Sequence, residues 1–423
     1  MPKMRIAPIR ILPLLLLAPL CLAQPGPLTL DQCIQLALAA PSSVSVARQQ
    51  TVIARYGITA ARAGLFPILT FQNNYLYNTP GGPGGFRFVA LNAPREYNSV
   101  GNADMIVDTS RRVHAEIDRA RADLRLAQAQ LVISQRDVRR LVNTAYFRLL
   151  LARRLVLVTR DALAEAQRFQ NLTTQLFNGG EAAQADVIKA SADTLFQQQA
   201  VSNAELEAQL ANHELASFWT ADTNTLLNIV DTLDASATPI LAETSQPFLQ
   251  RPEFASFDAA REGLLADVRR ARADLLPQMK ITYQYGIDST RLNFQDRGQA
   301  IIANLTIPVF DWNRARSNMG QARAQADQVE ANRAQAERTF SREYQDAVSR
   351  VNQVFAQLQL TDEQVRLSTE NLRLARVRYQ GGEGLALEVV AAQTQLAQAR
   401  ANQYTAKANY SNARADLEVA AGR

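Results

Sequence analysis

The residues able to do chemistry in this 423-residue chain are few and scattered. His114 and His213 are the only histidines and Cys21 and Cys33 the only cysteines, so neither a His-rich metal site, a thiolate cage nor a disulfide framework can be assembled. No nucleophile motif accompanies them. Both histidines fall on long polar stretches without a readable partner, which places them at the surface, and Cys33 reads as a small buried hydrophobe. Gly381-Gly382-Glu383-Gly384 lacks the Lys-Ser or Lys-Thr that lets a phosphate loop hold its anion, and it joins helix to helix, so it is a turn. Asp186 and Glu388 follow such turns closely, where an acid in the first helical turn gains about 0.3 to 1 kcal/mol from the macrodipole. Catalysis, cofactors and metals are therefore not expected.

The elements that carry these residues are written twice. Ala61-Arg62-Ala63-Gly64-Leu65-Phe66-Pro67 returns as Ala271-Arg272-Ala273-Asp274-Leu275-Leu276-Pro277, and Phe177-Asn178-Gly179-Gly180-Glu181 returns as Tyr379-Gln380-Gly381-Gly382-Glu383. The pairs Asp186-Val187 and Glu388-Val389 keep the second offset. Each copy reads helix, strand, loop, strand, long helix, tight turn, long helix. Between the strands of the first copy, Asn78 to Pro94 forms a Gly- and Pro-rich exposed loop. We place the first repeat at 24–219, with strands near 67–77 and 99–107 and a long hairpin over 111–219. A connector of unread structure follows at 220–247. The second repeat takes 248–423, with strands near 278–288 and 299–307 and a hairpin over 313–420.

Ahead of this lies a leader. Lys3, Arg5 and Arg10 precede the apolar run Ile11 to Leu22, with Ala23 suited to cleavage, so residues 1–23 read as a secretory signal. Leu20 before Cys21 argues against acylation there. Removing the leader's three cations from the 45 basic residues, against 40 acidic, leaves a surplus of only two, which gives no electrostatic case for nucleic acid. No stretch supplies the roughly 20 apolar residues of a spanning helix, so membrane insertion would have to use strands.

The strands have the pattern for it. Met279, Ile281, Tyr283, Tyr285 and Ile287 alternate with Lys280, Thr282, Gln284, Gly286 and Asp288; Leu69, Phe71, Tyr75 and Tyr77 alternate with Thr70, Gln72 and Asn74. Ile301, Ala303, Leu305 and Ile307 repeat the theme, and the strand near Val100 to Val107 is less regular. One apolar and one polar face suits a barrel with a wet lumen as well as a half-buried soluble sheet. Four strands cannot close a barrel, since roughly eight are needed. In lipid, several chains would have to share one.

From Arg111 to Phe177 no proline intervenes, which at 1.5 Å per residue gives a rod of roughly 100 Å. Val113, Ile117, Ala120, Leu124, Ala127, Leu131, Val138, Leu141 and Ala145 follow heptad spacing. So do Val187 to Phe218 and Leu385 to Leu417, with a stutter between Phe340 and Tyr344. Alanine dominates these seams, which suits helices flanked on both sides around a bore as well as an ordinary coiled coil.

Leu28-Thr29-Leu30-Asp31, the Ala-Arg-Ala-x-Leu-x-Pro repeats, Pro308-Val309-Phe310-Asp311 and the glycine turns followed by Asp186-Val187 and Glu388-Val389 together resemble the TolC-like outer-membrane efflux channel family, over nearly the whole mature chain. The resemblance implies a mainly α fold with a small β part, in which the duplicated unit assembles as a homotrimeric α-barrel/β-barrel channel. It also implies a passive conduit from periplasm to exterior for efflux or type I secretion, docked on a periplasmic adaptor and an inner-membrane pump. The loop Asn78 to Pro94 would face outside. The turns bearing Phe177, Gly179, Gly180, Gly381 and Gly382 would form the periplasmic tip that meets the adaptor. Glu388 matches an acidic ring at the closed entrance, Ala391 replaces its second member, and Asp186 faces Tyr379 as a latch from which Gly384 removes a basic residue. The competing reading is a periplasmic adaptor or scaffold, which would carry one hairpin between β-rich domains.

Overall fold

A computed structural model describes residues 26–79, 88–89, 93–234 and 246–423. The leader and most of the loop tip beyond Asn78 lie outside the described residues, as does Cys21. The elements run α1 (Leu30–Ala39), α2 (Ser43–Ala63), β1 (Ile68–Tyr77), β2 (Arg95–Val107), α3 (Arg112–Asn178), α4 (Gln184–Ala216), α5 (Pro252–Ala273), β3 (Gln278–Ser289), β4 (Arg297–Thr306), α6 (Arg314–Gln380) and α7 (Ala386–Ala420). Local chemistry explains the first boundaries. Thr29 caps α1 through a reciprocal bond with Gln32, Pro41 stops that helix, and Ser42 caps α2. Pro252 starts α5 at a position whose amide needs no partner.

The four strands form one antiparallel sheet in the order β1-β2-β3-β4. β2 starts at Arg95, four residues before the expected 99, because Tyr77 and Tyr75 pair with Arg95 and Tyr97. The register aligns Phe71, Gly101 and Tyr285 across three strands, and Met279 with Leu305 across β3 and β4. All the apolar alternants therefore share one face. Phe71, Tyr75, Ile301 and Leu305 are mostly exposed there, whereas Val100, Asn102 and Thr282 are buried on the opposite side. On that polar side Lys280 ion-pairs with Asp104 at 2.9 Å, and Thr282 donates to the same carboxylate.

Both 67-residue helices, α3 and α6, run from the sheet toward the tip, each folding back as a shorter antiparallel partner. The heptad seam expected for α3 holds at Val113, Ile117, Ala127, Val138 and Ala145 but breaks at Leu141, which is 55% exposed. There the buried line passes instead through Val142, Tyr146, Leu149 and Leu150, because α1, the end of α4 and the connector enclose α3 from several directions. Leu385 is also exposed, since it caps α7 from outside the helix.

The first part of the connector is built into this core. Leu28 bridges Ile229 in parallel, Leu227, Ile229 and Leu233 are buried beside Cys33, and the Tyr146 hydroxyl donates to the Val230 carbonyl at 2.6 Å. Burial pushes the Cys33 thiol up to about 11, in keeping with an inert packing role. A second hub ties the repeats together. Arg251, 7% exposed, stacks 3.7 Å above Phe340 and binds Glu253 and Glu343, while Arg136 reaches Glu253 from α3. Burial works upward on the Glu253 carboxyl, but hydrogen bonds from Arg251 and Arg136 outweigh it and hold the group down at about 2.

Two measurements follow from this packing. A Cβ on Gly286 would lie 2.2 Å from the Ser99 carbonyl oxygen and 2.6 Å from the Val100 Cα, while Gly298 faces open space. Gly286→Ala is expected to disrupt the pairing of β2 with β3, and Gly298→Ala to leave the sheet intact, as read by hydrogen-exchange protection of the strand amides. Because the folded Glu253 pKa is depressed, its contribution is complete above the ordinary carboxylate pKa and disappears as pH falls toward 2. Glu253→Gln should cost about 2 kcal/mol at pH 7 in urea unfolding, with the difference from the parent shrinking below pH 4.

Candidate functional site

The two helical turns at the far end of the hairpins are built alike. Each long helix ends at a glycine in helical conformation, Gly179 or Gly381, followed by a glycine with positive φ, +81° at Gly180 and +75° at Gly382. Only glycine adopts that geometry without a Cβ penalty. The amide of Glu181 closes on the Leu176 carbonyl at 2.8 Å, and that of Glu383 on the Arg378 carbonyl at 2.9 Å. Phe177, at the end of α3, remains 41% exposed. Gly384 has a packing reason of its own: a Cβ there would sit 3.0 Å from the Tyr379 amide nitrogen and 3.1 Å from the Arg378 carbonyl carbon.

Asp186 and Glu388 both fall in the first turns of their helices, α4 and α7. Tyr379 is 7% exposed in the last turn of α6, its ring edge-on to Phe169 of α3 at 5.2 Å. Its hydroxyl is buried with no hydrogen bond of ordinary geometry, and the nearby Thr173 hydroxyl donates to the Phe169 carbonyl. Burial raises the phenol's pKa and the Asp186 charge adds to that rise, with Thr173 opposing it. Asp186 thus acts on Tyr379 through space and not through a hydrogen bond.

Glu388 is not a free carboxylate. Arg378 donates to it at 3.1 Å and also reaches the Glu383 carbonyl at 3.4 Å. Both side chains are about half exposed, so the pair contributes little stability, but it places a cation beside the acid at the tip. One turn deeper, Arg376 of α6 ion-pairs with Glu165 of α3, and Gln393 of α7 donates to the Glu165 carbonyl at 3.3 Å. Arg400 and Asp161 add a further α7 to α3 contact at 3.4 Å. These cross-hairpin residues carry no motif, since each is one polar residue among many on long polar helices. Arg378 could have been found from its i+10 relation to Glu388 across a five-residue turn.

At the opposite end, His114 has a partner the sequence did not reveal. Asp108 accepts from the Val113 and His114 amides and meets His114 Nδ1 at 2.5 Å. It caps α3 from the strand side. Among the described residues no group of His, Cys, Asp or Glu is placed to hold a metal ion, and no helix is long and apolar enough to cross a membrane.

A sheet with one apolar and one polar face, all four of its helical junctions at one end and two long hairpins beyond them, defines a mainly helical, duplicated sheet-and-stalk fold. The chain belongs to the outer membrane efflux protein family, whose profile matches residues 33–220 and 245–423. It is 28% identical over 137 residues to the outer membrane protein OprJ of Pseudomonas aeruginosa, covering 31% of this chain and 29% of that one. It is 30% identical over 164 residues to the pyoverdine export outer membrane protein OpmQ of Pseudomonas putida, covering 38% and 34% respectively. These matches thus span about a third of each relative's length. The fold is similar to the outer-membrane channel OprN, with a TM-score of 0.81 at 21% identity over 93% of this chain and 89% of that one. It is also similar to the Campylobacter jejuni CmeC outer membrane channel, with a TM-score of 0.82 at 18% identity over 93% and 85%.

The orphaned phenol supplies a test of the tip. Tyr379→Phe removes a buried hydroxyl that has no partner and is expected to be neutral or stabilising by about 1 kcal/mol. Tyr379→Ala empties the space against Phe169 and should cost about 3 kcal/mol. Thermal melts of the detergent-solubilised protein would separate the two.

Proposed function

We propose that three copies of this chain close one barrel of about twelve strands and form a passive duct from periplasm to exterior. The observation that carries this reading is the sheet: β1 and β4 are edges with no further strand beside them among the described residues, and large apolar side chains stand exposed on one face, most of all along β1 and β4. Open edges in lipid leave amides unsatisfied at several kcal/mol each, so the edges must pair with those of other copies. The division into a cleaved signal over 1–23, repeats at 24–219 and 248–423 and a connector between them belongs to the same reading. The duct carries no catalytic group. Its energy comes from an inner-membrane pump joined through a periplasmic adaptor, and cargo is chosen largely by that pump. The turns at Gly179-Gly180 and Gly381-Gly382, with Phe177, are the proposed adaptor contact.

In this reading Glu388, Asp186 and Tyr379 form the periplasmic gate, and Arg378 is added to it. The cation beside Glu388 offsets part of the three-fold carboxylate ring, so selectivity is set by both residues. Reconstituted in planar bilayers, the protein should give discrete conductance. Glu388→Ala is expected to lower cation preference, Arg378→Ala to raise it, and Asp186→Ala to raise open probability. Unchanged reversal potentials and open probability in all three variants would remove the gate assignment, and absence of any conductance would remove the duct.

A further inference from the structure

All four junctions between sheet and helices lie at the same end of the sheet, since Ile68 pairs with Asp104, and Met279 with Val107 and Leu305. Each junction carries arginine on its helical side: Arg62 in the last turn of α2, Arg111 and Arg112 at the start of α3, Arg272 in the last turn of α5, and Arg314 and Arg316 at the start of α6. All six are exposed. Arg112 is paired with Asp274 and Glu116, but Arg62, Arg111, Arg272, Arg314 and Arg316 make no ion pair among the described residues. The carboxylates at this level are engaged elsewhere: Asp108 with the α3 amides and His114, Asp311 with the Ala315 amide at 2.8 Å, and Asp274 with Arg112.

At the starts of α3 and α6 this placement opposes local electrostatics. A helix N-terminus carries a partial positive charge and favours acids, which Asp108 and Asp311 supply from outside the first turn, while the arginines beside them sit on the unfavourable side. Arg111 is moreover held in the left-handed region at φ 58°, and Trp312 and Asn313 at 55° and 62°. Such conformations cost on the order of 1 kcal/mol or more each in a non-glycine residue and persist where the surroundings impose them. Five exposed cations at one level without a counter-ion among the described residues, three of them at helix N-termini, fit an anion from outside the chain.

The neighbouring side chains identify the anion's source. Ile307 and Val309, 57% and 93% exposed, continue the apolar face of β4 past its end, and Phe310 and Trp312, 69% and 85% exposed, form an edge-on pair at 4.7 Å. Phe66, 67% exposed, precedes β1 at the same level. Aromatic side chains between an apolar band and charged groups match the boundary between acyl chains and headgroups. We infer that this arginine collar binds the headgroups of anionic phospholipids in the periplasmic leaflet, with guanidinium forks on the phosphates and Trp312 and Phe310 at the acyl boundary. The inference rests on the barrel reading above and adds the lipid class that seats it.

The test uses the full chain carrying Trp219→Phe, which leaves Trp312 as the sole tryptophan. In vesicles of phosphatidylcholine mixed with phosphatidylglycerol, brominated phosphatidylglycerol should quench Trp312 severalfold more than brominated phosphatidylcholine at equal mole fraction, since each arginine near an anionic surface contributes on the order of fivefold. High salt, or Arg62→Gln with Arg314→Gln and Arg316→Gln, should abolish the excess. Equal quenching by the two lipids overturns the inference. So does a shift of reversal potential in the arginine variants with lipid preference unchanged, because the cations would then line the bore. A second protein, with both Trp219→Phe and Trp312→Phe plus Ile301→Trp on the mid-strand apolar face, reports embedding itself. If that probe is quenched by neither lipid, the barrel reading fails; if it is quenched and Trp312 shows no preference, only the lipid assignment fails.

Discussion

The backbone groups along the free edges of β1 and β4 impose the constraint from which the rest of the molecule follows. A strand edge can be left open to water, but hydrocarbon offers no donor or acceptor in exchange. With Phe71, Tyr75, Ile301 and Leu305 on one side and Asn102, Asp104 and Thr282 on the other, this sheet is neither a soluble layer nor a finished barrel. It is a sector. In the proposed duct its apolar side would face lipid, its polar side a wet interior, and its two edges further copies of the same sheet. The close approach of Gly286 to Ser99 and Val100 shows how little slack the sector allows between its central strands.

The helices answer a different requirement. Their seams are rich in alanine, so a pair of rods about 100 Å long gains modest burial per residue, and stability is concentrated where bulky side chains gather. Two such places lie near the middle of the stalk: the cluster around Tyr146, Leu149 and Leu215, and the arginine hub of Arg251, Arg136, Glu253 and Phe340. Toward the tip the hairpins meet through an apolar cluster, in which Phe169 and Ala190 pack with Leu372, Tyr379 and Val389, and through polar links such as Glu165 with Arg376 and Gln393. The polar links can exchange partners at small cost, but parting the hairpins there would also have to open the Phe169 and Tyr379 contact.

Much of this was legible in the residues because duplication and period report geometry directly. The period of two in β3 and the unbroken run of α3 fixed element type, and the glycine pairs at 179–180 and 381–382 fixed the turns. What failed had common physical causes. Leu141 was misplaced because a heptad assumes one partner, whereas the middle of α3 has several neighbours. The connector's structure went unread because its polar residues outnumber Leu227, Ile229 and Leu233, yet those three anchor its first part in the core. At the candidate site, Asp186, Glu388 and Tyr379 could be nominated by resemblance. The pairing of Glu388 with Arg378 and the orphaned Tyr379 hydroxyl required side-chain positions.

The two repeats are near copies at one end and unlike at the other. Their glycine turns superpose in kind, residue for residue in role, whereas one strand pair is joined by the long segment after Asn78 and the other by a short turn around Phe294. In the proposed trimer the tip would therefore offer six nearly equivalent footholds spaced around a ring, while the outer rim would alternate longer and shorter connections in threes. Evolution can alter the rim to evade whatever strikes the cell surface without disturbing the seat of the machinery beneath.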